Sequence, residues 1–212
     1  MIDVDHQINA VERTVGSRAL PAGEARIVTL SQEFGAAAED VWDAVTSAER
    51  IPRWFLPVSG DLRVGGHYQL EGQAGGAIQT CDAPTAFTAT WEYGGDVSWI
   101  EVTIVPVSAE RARLELVHIA HVDDERWVQF GPGAVGIGWE MAVMGLALHL
   151  ETGFARDPQE IAAWMVSEEA RRFITESSDR WFAAHVASGE SEQQARESAD
   201  RTTAAYTGVP GA

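Results

Sequence analysis

The run GPGAVGIGWEMAVMGLALHLE, residues 131–151, constrains this chain more than any other stretch. Read as a helix, it sets Trp139, Val143, Leu146 and Leu150 on one face, with Met141, Met144 and Leu148 close beside them. A helix that is apolar around nearly its whole circumference has to be buried on more than one side.

The preceding text supplies strands. Residues 61–64, 67–72, 77–82, 86–93, 97–105 and 111–122 read as extended segments, punctuated by Gly pairs, Asp82-Ala83-Pro84 and Ser108-Ala109-Glu110. Their short connections predict an antiparallel meander. Before them, ARIVTLSQEF reads as a strand and AEDVWDAV as a short helix. Thr46, three residues ahead of Glu49, predicts a capping box for a second short helix that Pro52 limits. At the start, Val4, Ile8, Val11 and Val15 fall at helical spacing, and Leu20-Pro21-Ala22-Gly23 reads as a turn.

After Gly153 the text becomes helical. Asp157-Pro158 makes an N-cap and N1 pair. Ser167 starts a helix that carries Ala170, Ile174, Ser177, Trp181 and His185 on one face and ends near Gly189. Ser191 with Gln194 caps a last helix, which Gly208-Val209-Pro210 stops. The expected organisation is a segment over 1–24, an α+β domain over 25–153 and a helical extension over 154–212. Trp164 or Trp181 exposed on that extension would favour a homodimer through it.

Charge and composition narrow the function. The formal net charge is −17 over 212 residues, and all 15 cations are Arg. Nucleic acid and anionic membrane surfaces demand clustered cations, so neither is an expected partner. The absence of Lys removes Schiff-base and P-loop lysine chemistry. The single cysteine, Cys81, excludes an internal disulfide and a multi-cysteine metal site, and no neighbouring cation activates it. No unbroken apolar run approaches about 20 residues, so no membrane span is expected. The first fifteen residues have neither a basic nor an apolar stretch of a secretion signal, and a cytoplasmic location follows as the expectation.

Several motifs act together. Trp54-Phe55 follows the second short helix, Gly65-Gly66 opens a strand, and Pro84 precedes a strand carrying Trp91. Leu114-x-Leu116-x-His118 lies on the last strand, and Gly138-Trp139 lies in the long helix. With the element order, these residues make the chain resemble the START-like helix-grip (SRPBCC) superfamily over residues 26–152, in the branch related to activators of heat-shock protein 90 ATPase. The resemblance implies a curved antiparallel sheet of six to seven strands gripping the long helix, with a cavity between them. It also implies ligands of the apolar kind, such as lipids, polyketides, flavonoids or hormones. Some members are cyclases.

Strand alternation gives the candidate lining. Phe87, Ala89, Trp91 and Tyr93 share a face, as do Ile100, Val102 and Ile104, then Leu114, Leu116 and His118, then Tyr68 and Leu70. With Trp139, Val143 and Leu146 from the helix and Trp54, Phe55 and Leu56 as a lid or a plug, they would enclose an apolar volume. His118 and Tyr93 are its polar handles. A histidine on such a face is more often a hydrogen-bonded structural group than a catalyst.

Other patterns carry less. His118 and His121 fall on opposite faces of a strand, which argues against a metal shared with Asp123 and Asp124. Gly131-x-Gly133-x-x-Gly136 lacks the following strand and acid of a dinucleotide site; it reads as a flexible helix entry that could gate the pocket. Nothing forms a nucleophile elbow. No metal, cofactor or catalytic set is assigned.

The expected function is therefore non-covalent binding of a small apolar or aromatic molecule. The rivals are a cochaperone-like module with a chaperone partner, and a cyclase or hydrolase using His118 as acid/base.

Overall fold

The computed structural model describes residues 3–153 and 155–208. In order, the elements are α1 (Val4–Ala10), β1 (Val11–Leu20), β2 (Gly23–Phe34), α2 (Ala38–Thr46), α3 (Ile51–Trp54), β3 (Val58–Gly60), β4 (His67–Leu70), β5 (Gly75–Asp82), β6 (Ala86–Tyr93), β7 (Asp96–Ser108), β8 (Arg111–Ala120), α4 (Asp124–Phe130), α5 (Gly133–Thr152), α6 (Pro158–Met165), α7 (Glu168–Ala187) and α8 (Glu192–Thr207). The strands form one eight-stranded sheet in the order β1-β2-β8-β7-β6-β5-β4-β3. This is an α+β fold with one strand more than the sequence predicts.

The extra strand lies where a helix is expected. The helix ends at Ala10, and Val11 and Val15 belong to β1. Val11 and Val15 satisfy both periods, and the β-branched run around Thr14 settles it for a strand. A strand over 61–64 is also absent. Those residues turn the chain between β3 and β4, with the Gly66 amide donating to the Arg63 carbonyl at 2.8 Å. The left-handed φ of Gly65, +80°, suits that reversal.

Two local expectations fail for related reasons. Thr46 is the last residue of α2, and its hydroxyl donates back to the Trp42 carbonyl at 2.7 Å instead of capping α3. Pro52 sits in the first turn of α3, where its missing N–H has no partner to lose. By contrast Asp157, Ser167 and Ser191 all cap as predicted, accepting from Gln159, Ala170 and Gln194. Gly208 is the left-handed C-cap of α8, while Val209 and Pro210 lie outside the described residues.

The chain divides into two compact units. One comprises residues 31–120 and 142–156, that is β3 to β8, α2, α3 and the second half of α5. In its middle, β6, β7 and β8 pair antiparallel with Phe87 opposite Val102 opposite Leu116, and Ala89 opposite Ile100 opposite His118. Directly opposed residues share a face. Ala89, Ile100, Val102, Ile104, Leu114, Leu116 and His118 are all buried, whereas Thr103 and Glu115 between them are exposed.

The other unit comprises residues 1–30, 121–141 and 157–212. Here α7 packs on α1, β1 and α8, and α8 packs on α4. The predicted face of α7 is the buried one: Ala170, Ile174, Ser177, Trp181 and His185 are all inside. Trp181 is 1% exposed and Trp164 is half-buried, its indole donating to Glu169 at 3.0 Å. Trp181 is thus covered within this unit, and Trp164 is covered in part.

The glycine run at the head of α5 is packed by the same helices. A methyl on Gly136 would come 2.2 Å from the Trp181 ring, and one on Gly131 2.8 Å from the Ser198 hydroxyl. Thr202 donates to the Phe130 carbonyl at 2.7 Å and Tyr206 to the Ala134 carbonyl at 2.9 Å. These glycines are therefore a bed for close helix contact, which is why G-x-G-x-x-G appears without a nucleotide fold.

One charged pair sits in this unit's interior. Arg13 on β1 holds Glu140 on α5 through two bonds of 2.6 Å, with side chains 5% and 0% exposed. The guanidinium also donates to the carbonyls of Val11 and Ile8. By length and composition α5 could cross a membrane, yet 61% of its most apolar stretch is buried within the fold, as a core helix is.

Candidate functional site

The residues 49–57 that read as a lid or plug are anchored from three directions. The Trp54 indole donates to the Ala44 carbonyl of α2 at 2.8 Å and stacks on Phe55 with centroids 5.4 Å apart. The Trp54 carbonyl lies where a methyl on Gly145 of α5 would come within 2.5 Å, so only glycine admits α3 that close. The Arg53 carbonyl accepts from the Arg156 amide at 2.8 Å. Trp54, Phe55 and Leu56 are half-buried.

A charged clip holds α3 to its neighbours. Arg50 donates to Asp40 at 2.5 Å and to Asp43 at 3.1 Å on α2, and it reaches the Nε2 of buried His149 on α5 at 3.2–3.3 Å. Since a guanidinium only donates, that ring nitrogen is the acceptor. Sequence reading missed this clip. Arg50 and His149 are 99 residues apart, and neither belongs to a recognisable pattern.

The inner face of the sheet is apolar and nearly closed. Tyr68 and Leu70 on β4 are buried; Phe87 and Trp91 on β6 are half-buried; Ile100, Val102, Leu116 and His118 are buried. Trp42 of α2 meets Phe87 edge-on at 6.2 Å. Val143 and Leu146 of α5 are buried in the same unit, whereas Trp139 belongs to the other one. Tyr93 is not gathered with the rest: it stands opposite Asp96 at the tip of the β6–β7 hairpin, 59% exposed.

Polar atoms on this face are turned to the chain's own carbonyls. The Tyr68 hydroxyl donates to Thr90 at 2.7 Å and Ser98 donates to Trp91 at 2.9 Å. Burial, helped by Glu92, raises the Tyr68 phenol. His118, 6% exposed, is pushed down to about 4 by burial, so its imidazole is neutral at pH 7. His121, Asp123 and Asp124 have other occupations: His121 approaches the Glu24 carbonyl at 3.2 Å, Asp123 caps α4, and Asp124 pairs with Arg26 at 3.1 Å.

The His118 shift carries a pH prediction. The folded state prefers the neutral ring, so its contribution is complete above the unfolded value of 6.5 and is lost as pH falls toward about 4. The difference amounts to about 3 kcal/mol. His185 adds loss of the same sign: burial lowers its pKa, Glu190 opposes that shift, and Arg26 adds a smaller lowering. Urea midpoints measured from pH 7.5 to 4.5 should fall steadily, and His118→Gln should flatten that slope. A midpoint independent of pH across this range would contradict the assignment.

A curved antiparallel sheet with a long core helix defines the helix-grip class. The family model of the Activator of Hsp90 ATPase homolog 1-like proteins matches residues 35–151, and the chain belongs to that family. Among solved structures, the chain is similar to CalU16 from Micromonospora echinospora: 34% identical, TM-score 0.64, covering 82% of this chain and 98% of that one. The solution structure of CalU16 gives a TM-score of 0.68 over 85% of this chain and 97% of that one. An HSP90 activator from Plasmodium falciparum shares the fold at 19% identity and TM-score 0.51, covering 62% of this chain and 99% of that one. No curated protein matches.

Proposed function

We propose that this protein binds a small apolar or aromatic molecule, without covalent chemistry, against the inner face of β4 to β8 and the second half of α5. The observation that carries the reading is a gradient of burial on one charge-poor surface. Aliphatic residues in its middle are closed from solvent, while the aromatic rings of Phe87 and Trp91 on β6 remain half-open, as are Trp54 and Phe55 at the end of α3. Large rigid rings that keep partial access are what lines a pocket mouth. Covering about 300 to 500 Å² of apolar ligand surface would contribute about 7 to 12 kcal/mol before ordering costs. A neutral His118 suits a hydrogen-bonding handle better than an acid catalyst at pH 7.

The test is titration with the neutral fluorescent probe N-phenyl-1-naphthylamine, alongside native mass spectrometry of freshly purified protein. Saturable one-to-one binding in the micromolar range is expected. Leu116→Trp, which fills the middle of the face, should weaken it by about tenfold or more while thermal melting stays cooperative. A signal that never saturates, or one that Leu116→Trp leaves unchanged, would count against this site.

A further inference from the structure

Resting on that reading, we infer that the occupant is an uncharged molecule, and that the site rejects carboxylates, phosphates and ammonium ions sharing its carbon skeleton. Alternation along the three central strands puts Phe87, Ala89 and Trp91, then Ser98, Ile100, Val102 and Ile104, then Leu114, Leu116, His118 and Ala120 on one face. None is Arg, Asp or Glu. Glu92, Glu101, Arg113 and Glu115 alternate onto the opposite face. Asp96 has the parity of Ser98 but stands exposed opposite Tyr93 at the end of the β6–β7 hairpin, outside the covered surface.

An ion entering this surface would lose its hydration and find no countercharge. The cost of an unpaired buried charge far exceeds what additional apolar contact returns. His118 does not supply a cation for an anion, because its burial keeps the ring neutral above about pH 4. The hydroxyl protons of Tyr68 and Ser98 and the Trp54 indole proton are each directed to a backbone carbonyl, at 2.7, 2.9 and 2.8 Å. Arg50, the cation on the neighbouring α3 clip, is already met by Asp40 and Asp43. The surface is therefore matched to hydrocarbon and aromatic groups and opposes net charge of either sign. This selectivity is narrower than apolar binding, since amphiphiles such as fatty-acid anions are excluded by it.

The experiment is calorimetric titration of the full chain with three probes of one skeleton: 2-acetylnaphthalene, 2-naphthoate and 2-naphthylmethylammonium. The ketone should bind, and both ions should bind at least about tenfold more weakly at pH 7.5. The apparent affinity for naphthoate should then rise about tenfold for each unit of pH lowered from 7 to 5.5, because only the protonated acid enters. Near-ultraviolet circular dichroism monitors the fold across that range. Either ion binding within tenfold of the ketone, or a naphthoate affinity that does not change with pH, overturns the inference while leaving a binding site in place. Failure of all three probes removes the binding reading itself, and the inference with it.

Discussion

Glu140→Leu is expected to lower the unfolding free energy by about 3 to 5 kcal/mol, among the largest single effects in the molecule. The substitution removes the carboxylate but leaves the Arg13 guanidinium inside, facing the carbonyls of Val11 and Ile8. A buried ion pair is a weak source of stability by itself, because desolvation of both ions offsets their attraction. Its removal one side at a time is severe for the same reason. The double variant Arg13→Met with Glu140→Leu should therefore recover most of the loss, coming back to within about 1 to 2 kcal/mol of the parent. Urea denaturation of the three proteins reads this directly. If Glu140→Leu costs less than about 1 kcal/mol, the pair is solvated and the buried description is wrong.

Gly136→Ala should change sign with its surroundings. In the parent, the added methyl meets the buried Trp181 ring at 2.2 Å, and neither α5 nor α7 can yield without parting. Overpacking of this kind costs about 1 to 3 kcal/mol. Trp181→Ala alone should cost about 3 to 5 kcal/mol through the cavity it opens. In that background Gly136→Ala should become neutral or stabilising by up to about 1 kcal/mol, since alanine is the better helix former and the obstacle is gone. Thermal melts of the cycle test it, and a penalty at Gly136 that persists without the Trp181 ring would rule out their contact as its cause.

Both variants probe contacts that join distant parts of the chain, and they mark where sequence reading stops. The strands over 86–93 and 111–122, the buried face of α7 and the caps at Asp157, Ser167 and Ser191 were readable, because period and hydrogen-bonding side chains act within a few residues. The same local rules misread Val11 and Val15. Their spacing fits both a helix and a strand, and pairing in the sheet decided between them. Within the candidate site, the inner-face residues of β6, β7 and β8 followed from alternation, but Tyr93 did not, since it lies where the hairpin leaves the covered surface. The clip of Arg50 with Asp40, Asp43 and His149 was invisible, because no local pattern links residues brought together only by folding.

By itself, the sequence determined that α5 needs cover on several sides, that an antiparallel sheet provides an apolar face, and that helices close the chain. Its family signature is spread over residues that alternate or repeat locally, so it survives without coordinates. Only the tertiary structure decided what the glycines of 131–138 accommodate, which charges are interior, and how α3 is fastened beside α5. Those matters depend on distances between residues up to 127 positions apart, set by packing and not by any property of the neighbouring sequence.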